Sequence, residues 1–516
     1  MPTEDSERNI LQVQNLKGFR RSQSFKIMGT QPAKSSLRMR TRVLQNTAAL
    51  LGGRGLSIVL AGGASIILAR YLGSEKLGEF GAVYAYATLF GWLATFGIDS
   101  IMAREASIDR NQATNILRTG TKLCLIFAIG ATILSLVIAP VVGYKGHLHF
   151  LLIFAVMEML LLSPLRLPGV VFQVDLKQWY SAGINLLRQG IWLLLVVALA
   201  WLQARLITVI VWRFIVAALE SILIWGFSRR FLTPSSESYA SRSRFYLASS
   251  IPIAFSSLLA AVYFRIDQVM LHNMANDSIL GQYVAAVRVS EMFEMIPAAL
   301  MASLVPILSV SATGTGALAF RGYLDRTFRY FSVLACAICV VTTTGAGPIV
   351  NLLYGKQFAG ATPLLGVLIW SEVSIFFAAI VITAMVTSNL QKFLLVPTAA
   401  GALSNVALNL YLIPRYAALG AAWATLISYG LAWFIVLLAF RQTRSLVLQG
   451  LRWTVPALAL ALGTSWGAAL LPAPAVAKLL AGVCLYAAGI GVTRLLGRED
   501  IEYAWAALAH SQAKPE

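Results

Sequence analysis

Leu77-Gly78-Glu79-Phe80-Gly81-Ala82 is echoed 203 positions later by Leu280-Gly281-Gln282-Tyr283-Val284-Ala285. Each hexapeptide opens a long apolar run, and each run leads to a basic interfacial stretch, marked by Arg118 in the first half and Arg321 in the second. Equal spacing in the two halves reads as a duplicated unit, the common architecture of transporters. Each unit holds an even number of runs. The repeats are therefore parallel and related by a pseudo-two-fold axis along the membrane normal.

The runs themselves fall at about 46–68, 78–100, 119–140, 148–168, 181–202 and 206–228 in the first unit. The second unit has them at about 245–271, 281–306, 328–351, 363–388, 393–413 and 418–440, and a further pair lies at 453–471 and 476–496. Each is near the length needed to cross a bilayer. The fold class is all-α integral membrane, with about fourteen transmembrane helices in two six-helix lobes plus a C-terminal pair. The expected divisions are a basic cytoplasmic tail at 1–42, an N-lobe at 43–230, a C-lobe at 244–441, the extra pair at 452–497 and a cytoplasmic tail at 498–516. Met28 and Met39 in the basic tail are alternative starts.

Composition agrees. Of 516 residues, 58% are hydrophobic and 12% charged, and mean hydropathy is +0.73. Soluble chains carry about 25% charged residues, so too little polar surface exists here to cover a globule in water. The net charge of +19 would suggest nucleic acid if it formed one patch. It is instead spread over alternate gaps between runs, which excludes that reading. Gaps assigned to the inside hold groups such as Arg104, Arg110, Arg118 and Lys122, or Arg229, Arg230, Arg242 and Arg244. Gaps assigned to the outside hold mostly one each: Arg70, Lys76, Lys145, Arg205, Lys356, Arg415 and Lys478. Cationic loops stay inside, so both termini are expected in the cytoplasm. Outside loops are too short for an extramembrane catalytic domain, and an enzyme is not expected. The cysteines Cys124, Cys336, Cys339 and Cys484 lie in apolar runs and read as packing residues. His147 and His149 are too few ligands for a metal, and no cofactor is expected.

Ionisable side chains inside membrane runs are costly and mark function. Arg54, Arg188, Arg213, Arg265 and Arg288 fall within runs of both lobes and none in the last six. Guanidinium forks facing a water-filled cavity suit phosphate oxygens, which points to an anionic or phosphorylated cargo. The same residues also read as snorkelling groups near span ends or as structural ion pairs: Arg288 lies three positions from Glu291, and Arg213 two turns from Glu220. Glu158, Glu291, Glu294 and Glu372 are the candidates for coupling to H+ or Na+, and Glu158 has no basic residue one turn away. Tyr84, Tyr86, Trp92, Tyr263 and Asn405 are candidate polar and aromatic groups lining the cavity.

The stretch from Asn46 to Ala106, reading NTAALLGGRG, then ILARYLGSEKLGEFGAVYAYATLF, then FGIDSIMAREA, resembles the opening of the polysaccharide transporter family, the oligosaccharide and O-antigen flippases of the multidrug/oligosaccharidyl-lipid/polysaccharide exporter superfamily. FRIDQVML (Phe264 to Leu271), LGQYVAAVRVSEMFEMIPAAL (Leu280 to Leu300), LLYGKQFAGATPLL (Leu352 to Leu365) and ALGAAWATLIS (Ala418 to Ser428) look like its seventh, eighth, tenth and twelfth spans. The resemblance covers about 43–440. It implies an alternating-access transporter that moves undecaprenyl-diphosphate-linked oligosaccharide to the periplasmic leaflet beside membrane lipid and polysaccharide polymerase machinery. The alternatives are a flippase of lipid-linked peptidoglycan precursor and a multidrug and toxin extrusion exporter, the latter disfavoured by the arginines.

Overall fold

The computed structural model describes residues 33–232, 242–312 and 317–497. The expected C-terminal tail at 498–516 and most of the N-terminal one lie outside them. The chain divides into two units, Met1–Ala49 and Leu50–Glu516. The second holds the helical bundle.

Among the described residues the secondary structure is helical throughout. Water is absent from a bilayer core, so an apolar run satisfies its backbone polar groups only by bonding them within itself. The surface chemistry fits lipid as solvent. On the helix Ala113–Ile138, Ile126, Ile133 and Val137 point outward, each well over half exposed, while Gly120, Cys124, Ala128, Ala131 and Ser135 are buried. Large apolar side chains outside and small ones inside is the reverse of a soluble helix, and it allows close helix contact.

Eleven helical segments among the described residues are long and apolar enough to cross a membrane, against about fourteen runs expected. The difference lies in three places. Gly55–Ile108 and Gln391–Ala439 are each far longer than one crossing needs. Their helices Ala33–Leu89 and Leu395–Gly430 bend sharply at Gly73, with φ of +73°, and at Ala417, with φ of +48°, three residues after Pro414. The expected eighth run is broken into Asp277–Glu291 and Met295–Ala312, neither of which qualifies alone. Hydropathy reads one continuous run, whereas the helix is interrupted between Glu291 and Met295.

The echoed hexapeptides meet. A Cβ on Gly78 would overlap the carbonyl oxygen of Asp277, and a Cβ on Gly281 would overlap that of Ser74. Ser74 and Asp277 stand 203 positions apart, as do Gly78 and Gly281, so the two contacts are exchanged by the repeat. Such reciprocity is what a two-fold axis produces. Gly81 faces its own counterpart Val284 across the same line. Ser74 Oγ lies 2.9 Å from Ser278 Oγ, the Arg70 guanidinium donates to the carbonyls of Leu352 and Leu353, and Gln357 Nε2 donates to the Arg70 carbonyl at 2.9 Å. The two halves are thus clasped backbone to backbone at this end of the bundle.

Candidate functional site

Beyond that clasp, helices of both halves diverge around a cavity of about 280 Å³. Arg188, Arg213, Arg288 and Glu291 supply its charge, and Phe80, Trp192, Met292 and Tyr354 part of its walls. Three of the five arginines singled out from sequence therefore share one chamber. Arg265 reaches it indirectly: its Nη1 binds Glu291 Oε1 at 2.7 Å, and Arg288 Nη1 binds Glu291 Oε2 at 3.0 Å. The side chain of Arg54 lies outside the described residues.

The carboxylates are distributed unequally. Glu158, read from sequence as an isolated membrane carboxylate, sits on a π-helical turn, Met157–Leu161, and accepts from Arg213 Nε at 3.1 Å and Tyr84 Oη at 2.6 Å. Arg213 is boxed by the rings of Tyr84, Phe80 and Trp192, at 4.4, 5.7 and 5.7 Å. The expected approach of Arg213 to Glu220 along one helix is replaced by these cross-helix contacts. Glu220 lies instead between Arg166 and Arg188, each 3.2 Å away. The Arg188 contact lacks hydrogen-bond alignment, so its buried Nε keeps an unspent donor. Five arginines around three carboxylates leave a cationic excess on this network.

These pairings predict opposite outcomes for two variants of one ion pair. Glu158→Gln leaves Arg213 buried with a neutral partner, which should cost about 3 kcal/mol of stability and lower the amount of folded protein in the membrane. Joint replacement with Arg213→Gln should recover most of it, measured by thermal unfolding in detergent.

A second, smaller pocket of about 40 Å³ lies in the C-terminal half and is acidic: Asp267, Glu291, Glu294 and Glu372 line it with Ser290, Thr425 and Tyr283. Glu372 is fully buried; its Oε1 accepts from Ser290 Oγ at 2.9 Å, and its Oε2 has no hydrogen-bond partner. Glu291 lines both pockets and is the one carboxylate in the wall between them. The coupling candidates thus separate into Glu158, held in the N-terminal half, and three that share this pocket. No group of three metal-ligating side chains occurs among the described residues.

Of the polar and aromatic candidates, Tyr84 joins the cationic network through Glu158, and Tyr263 lines the acidic pocket with Glu291. Tyr86 donates to the Ser135 carbonyl in the core, Asn405 binds Ser428 and Asn409, and Tyr263 packs on Tyr429 at 4.5 Å.

The model of the family described as polysaccharide biosynthesis protein matches residues 43–311, over half the chain. The chain belongs to this polysaccharide biosynthesis family. Among solved structures, the lipid II flippase MurJ in an inward closed conformation superposes with a TM-score of 0.65 at 14% identity, covering 87% of this chain and 98% of that one. An inward-facing multidrug resistance MATE family transporter gives 0.58 at 16% identity, covering 76% and 96%. A superfamily transporter from Pyrococcus furiosus, described by the reverse polarity of its binding pocket, gives 0.52 at 13%, covering 83% and 96%. No curated protein matches by sequence. At these identities the likeness concerns the fold: this member of the polysaccharide biosynthesis family has a flippase-type transporter fold.

Proposed function

We propose that the protein is a flippase of the bacterial inner membrane that carries undecaprenyl-diphosphate-linked oligosaccharide from the cytoplasmic to the periplasmic leaflet for surface or exopolysaccharide synthesis. The observation that carries this reading is the cavity between the repeats, where Arg188, Arg213 and Arg288 face a single lining carboxylate, Glu291. A diphosphate is the anion that such forks bind in pairs. An exporter of organic cations would be repelled by the same lining. A flippase of lipid-linked peptidoglycan precursor shares the diphosphate and is the second reading. Purified protein in liposomes should translocate the fluorescently labelled lipid-linked oligosaccharide, and a deletion strain should accumulate it in the inner leaflet. Translocation of organic cations without it would reverse the assignment.

In this reading the clasp at Ser74, Gly78 and Gly281 closes the periplasmic face. Both termini are cytoplasmic, and the polymerase machinery receives the cargo outside. Reporter fusions at Lys145, Lys356 and Lys478 should report the periplasm, and those at Arg242 and Lys392 the cytoplasm. A periplasmic signal at Arg242 would break the two-lobe arrangement.

The acidic pocket is the coupling site for H+ or Na+. Loading it would weaken the hold of Glu291 on Arg265 and Arg288, since Glu291 belongs to both chambers. Glu372→Gln should abolish the acceleration of flipping by an imposed proton or sodium gradient while leaving cargo binding intact. Unchanged gradient dependence would remove this pocket from the cycle.

A further inference from the structure

Next to the cationic cavity lies a larger chamber, of about 640 Å³, whose described lining is polar yet carries no charged side chain. Ser57, Gln173, Gln178, Ser181, Asn185 and Gln189 supply its polar groups, and Ile58 and Val170 its apolar surface. Ile58, Ala61 and Gln189 line both chambers, so the two are contiguous. Among the described residues, the side chains of Gln173, Gln178, Asn185 and Gln189 make no hydrogen bond within the protein. Four amides with unspent donors and acceptors thus border a space wide enough for a ligand.

We infer that this chamber is the sugar subsite of the cargo and that it takes a neutral, hydroxyl-rich glycan. The inference rests on the flippase reading and specifies its substrate class. An amide presents a donor and an acceptor side by side, which matches neighbouring hydroxyls, each itself donor and acceptor. Ile58 and Val170 offer contact to the C–H faces of a pyranose. The order of the chambers repeats the order of the chemical groups, because in a lipid-linked glycan the diphosphate is joined directly to the first sugar. On the helix Trp179–Trp201, Asn185 and Gln189 flank Arg188, so a single helix presents amides to one group and a guanidinium to the next. A glycan bearing uronates or peptide carboxylates would bring charge against described lining residues that offer it no cationic partner, which is costly. The amide lining therefore selects against the peptide-bearing precursor, which the diphosphate site alone would accept.

The test compares binding of three probes to the full chain in nanodiscs by titration calorimetry: undecaprenyl diphosphate, the same lipid bearing a neutral N-acetylated disaccharide, and the same lipid bearing a uronate disaccharide. The neutral glycolipid should bind at least about 10-fold tighter than the bare lipid, from two or more added hydrogen bonds, and the uronate form should gain no such increment. Joint Gln173→Leu and Asn185→Leu should erase the increment while leaving the affinity for the bare lipid unchanged. Gln178→Ala, a milder change, should reduce the increment severalfold should the leucine pair fail to fold. An equal affinity of the wild type for bare and neutral-glycan lipid would overturn the sugar subsite while the flippase reading stands. An equal loss for both lipids in folded variants would do the same. A wild type that binds none of the three would overturn the flippase reading, and the subsite with it.

Discussion

Replacing Gly281 by alanine is expected to hold the clasped end of the bundle open and to stop transport. In an isolated helix the change is favourable by about 1 kcal/mol, so the variant should fold and insert normally. The penalty falls only on the clasped state, where the new methyl overlaps the Ser74 carbonyl. Backbone cannot rotate away as a side chain can, and overpacking of this kind costs about 3 kcal/mol. That is roughly a 100-fold shift between closed and open forms. With the native cysteines replaced, Ser278→Cys should react slowly with a membrane-impermeant maleimide in the Gly281 background and rapidly in the alanine variant. Slow labelling of the alanine variant together with normal polysaccharide production would show that the clasp closes around the added methyl and does not depend on glycine at this position.

This glycine was visible in the sequence as part of the echo, but its role was not. A repeat states that two segments are equivalent; it does not say that they touch. The equivalence of Gly78 with Gly281 and of Ser74 with Asp277 becomes a contact only because the axis passes between them. The membrane class and the apolar runs were legible for a simple reason, since a bilayer leaves the backbone little besides helix. The bends at Gly73 and Ala417 fall in the gaps between expected runs, although Ala417 adopts a positive φ that composition does not announce, whereas the interruption between Glu291 and Met295 falls inside the expected run at 281–306.

Charge partners were the least legible. Neighbours along one helix can be enumerated, and Arg288 with Glu291 was found that way. Glu158 with Arg213 joins positions 55 apart through a cross-helix contact that no local spacing encodes. The amide chamber did leave a trace. Gln178, Ser181, Asn185 and Gln189 recur at helical spacing at the start of an apolar run, a polar stripe that a search restricted to charged and aromatic residues passes over.

The unequal sharing of carboxylates decides what the arginine variants should do. Arg213 alone neutralises Glu158, which otherwise keeps only the Tyr84 hydroxyl. Arg213→Ala should therefore strand a buried carboxylate and lower folded protein, whatever the cargo. Arg288 is different, because Glu291 keeps Arg265 at 2.7 Å when Arg288 is gone. From sequence spacing alone, Arg288→Ala would be expected to strand Glu291; the second partner removes that expectation. The variant should express and melt like the wild type yet lose the guanidinium that faces the cavity. A charge-assisted bond to phosphate is worth about 1.5–3 kcal/mol, so flipping of the labelled glycolipid in liposomes should fall roughly 10- to 100-fold. Arg288→Lys should recover part of the rate, since it restores the charge without the bidentate fork. Arg188→Ala should behave like Arg288→Ala, because Glu220 retains Arg166. If both folded variants flip at the wild-type rate, the cationic cavity does not bind the cargo, and the arginines are there to hold helices together.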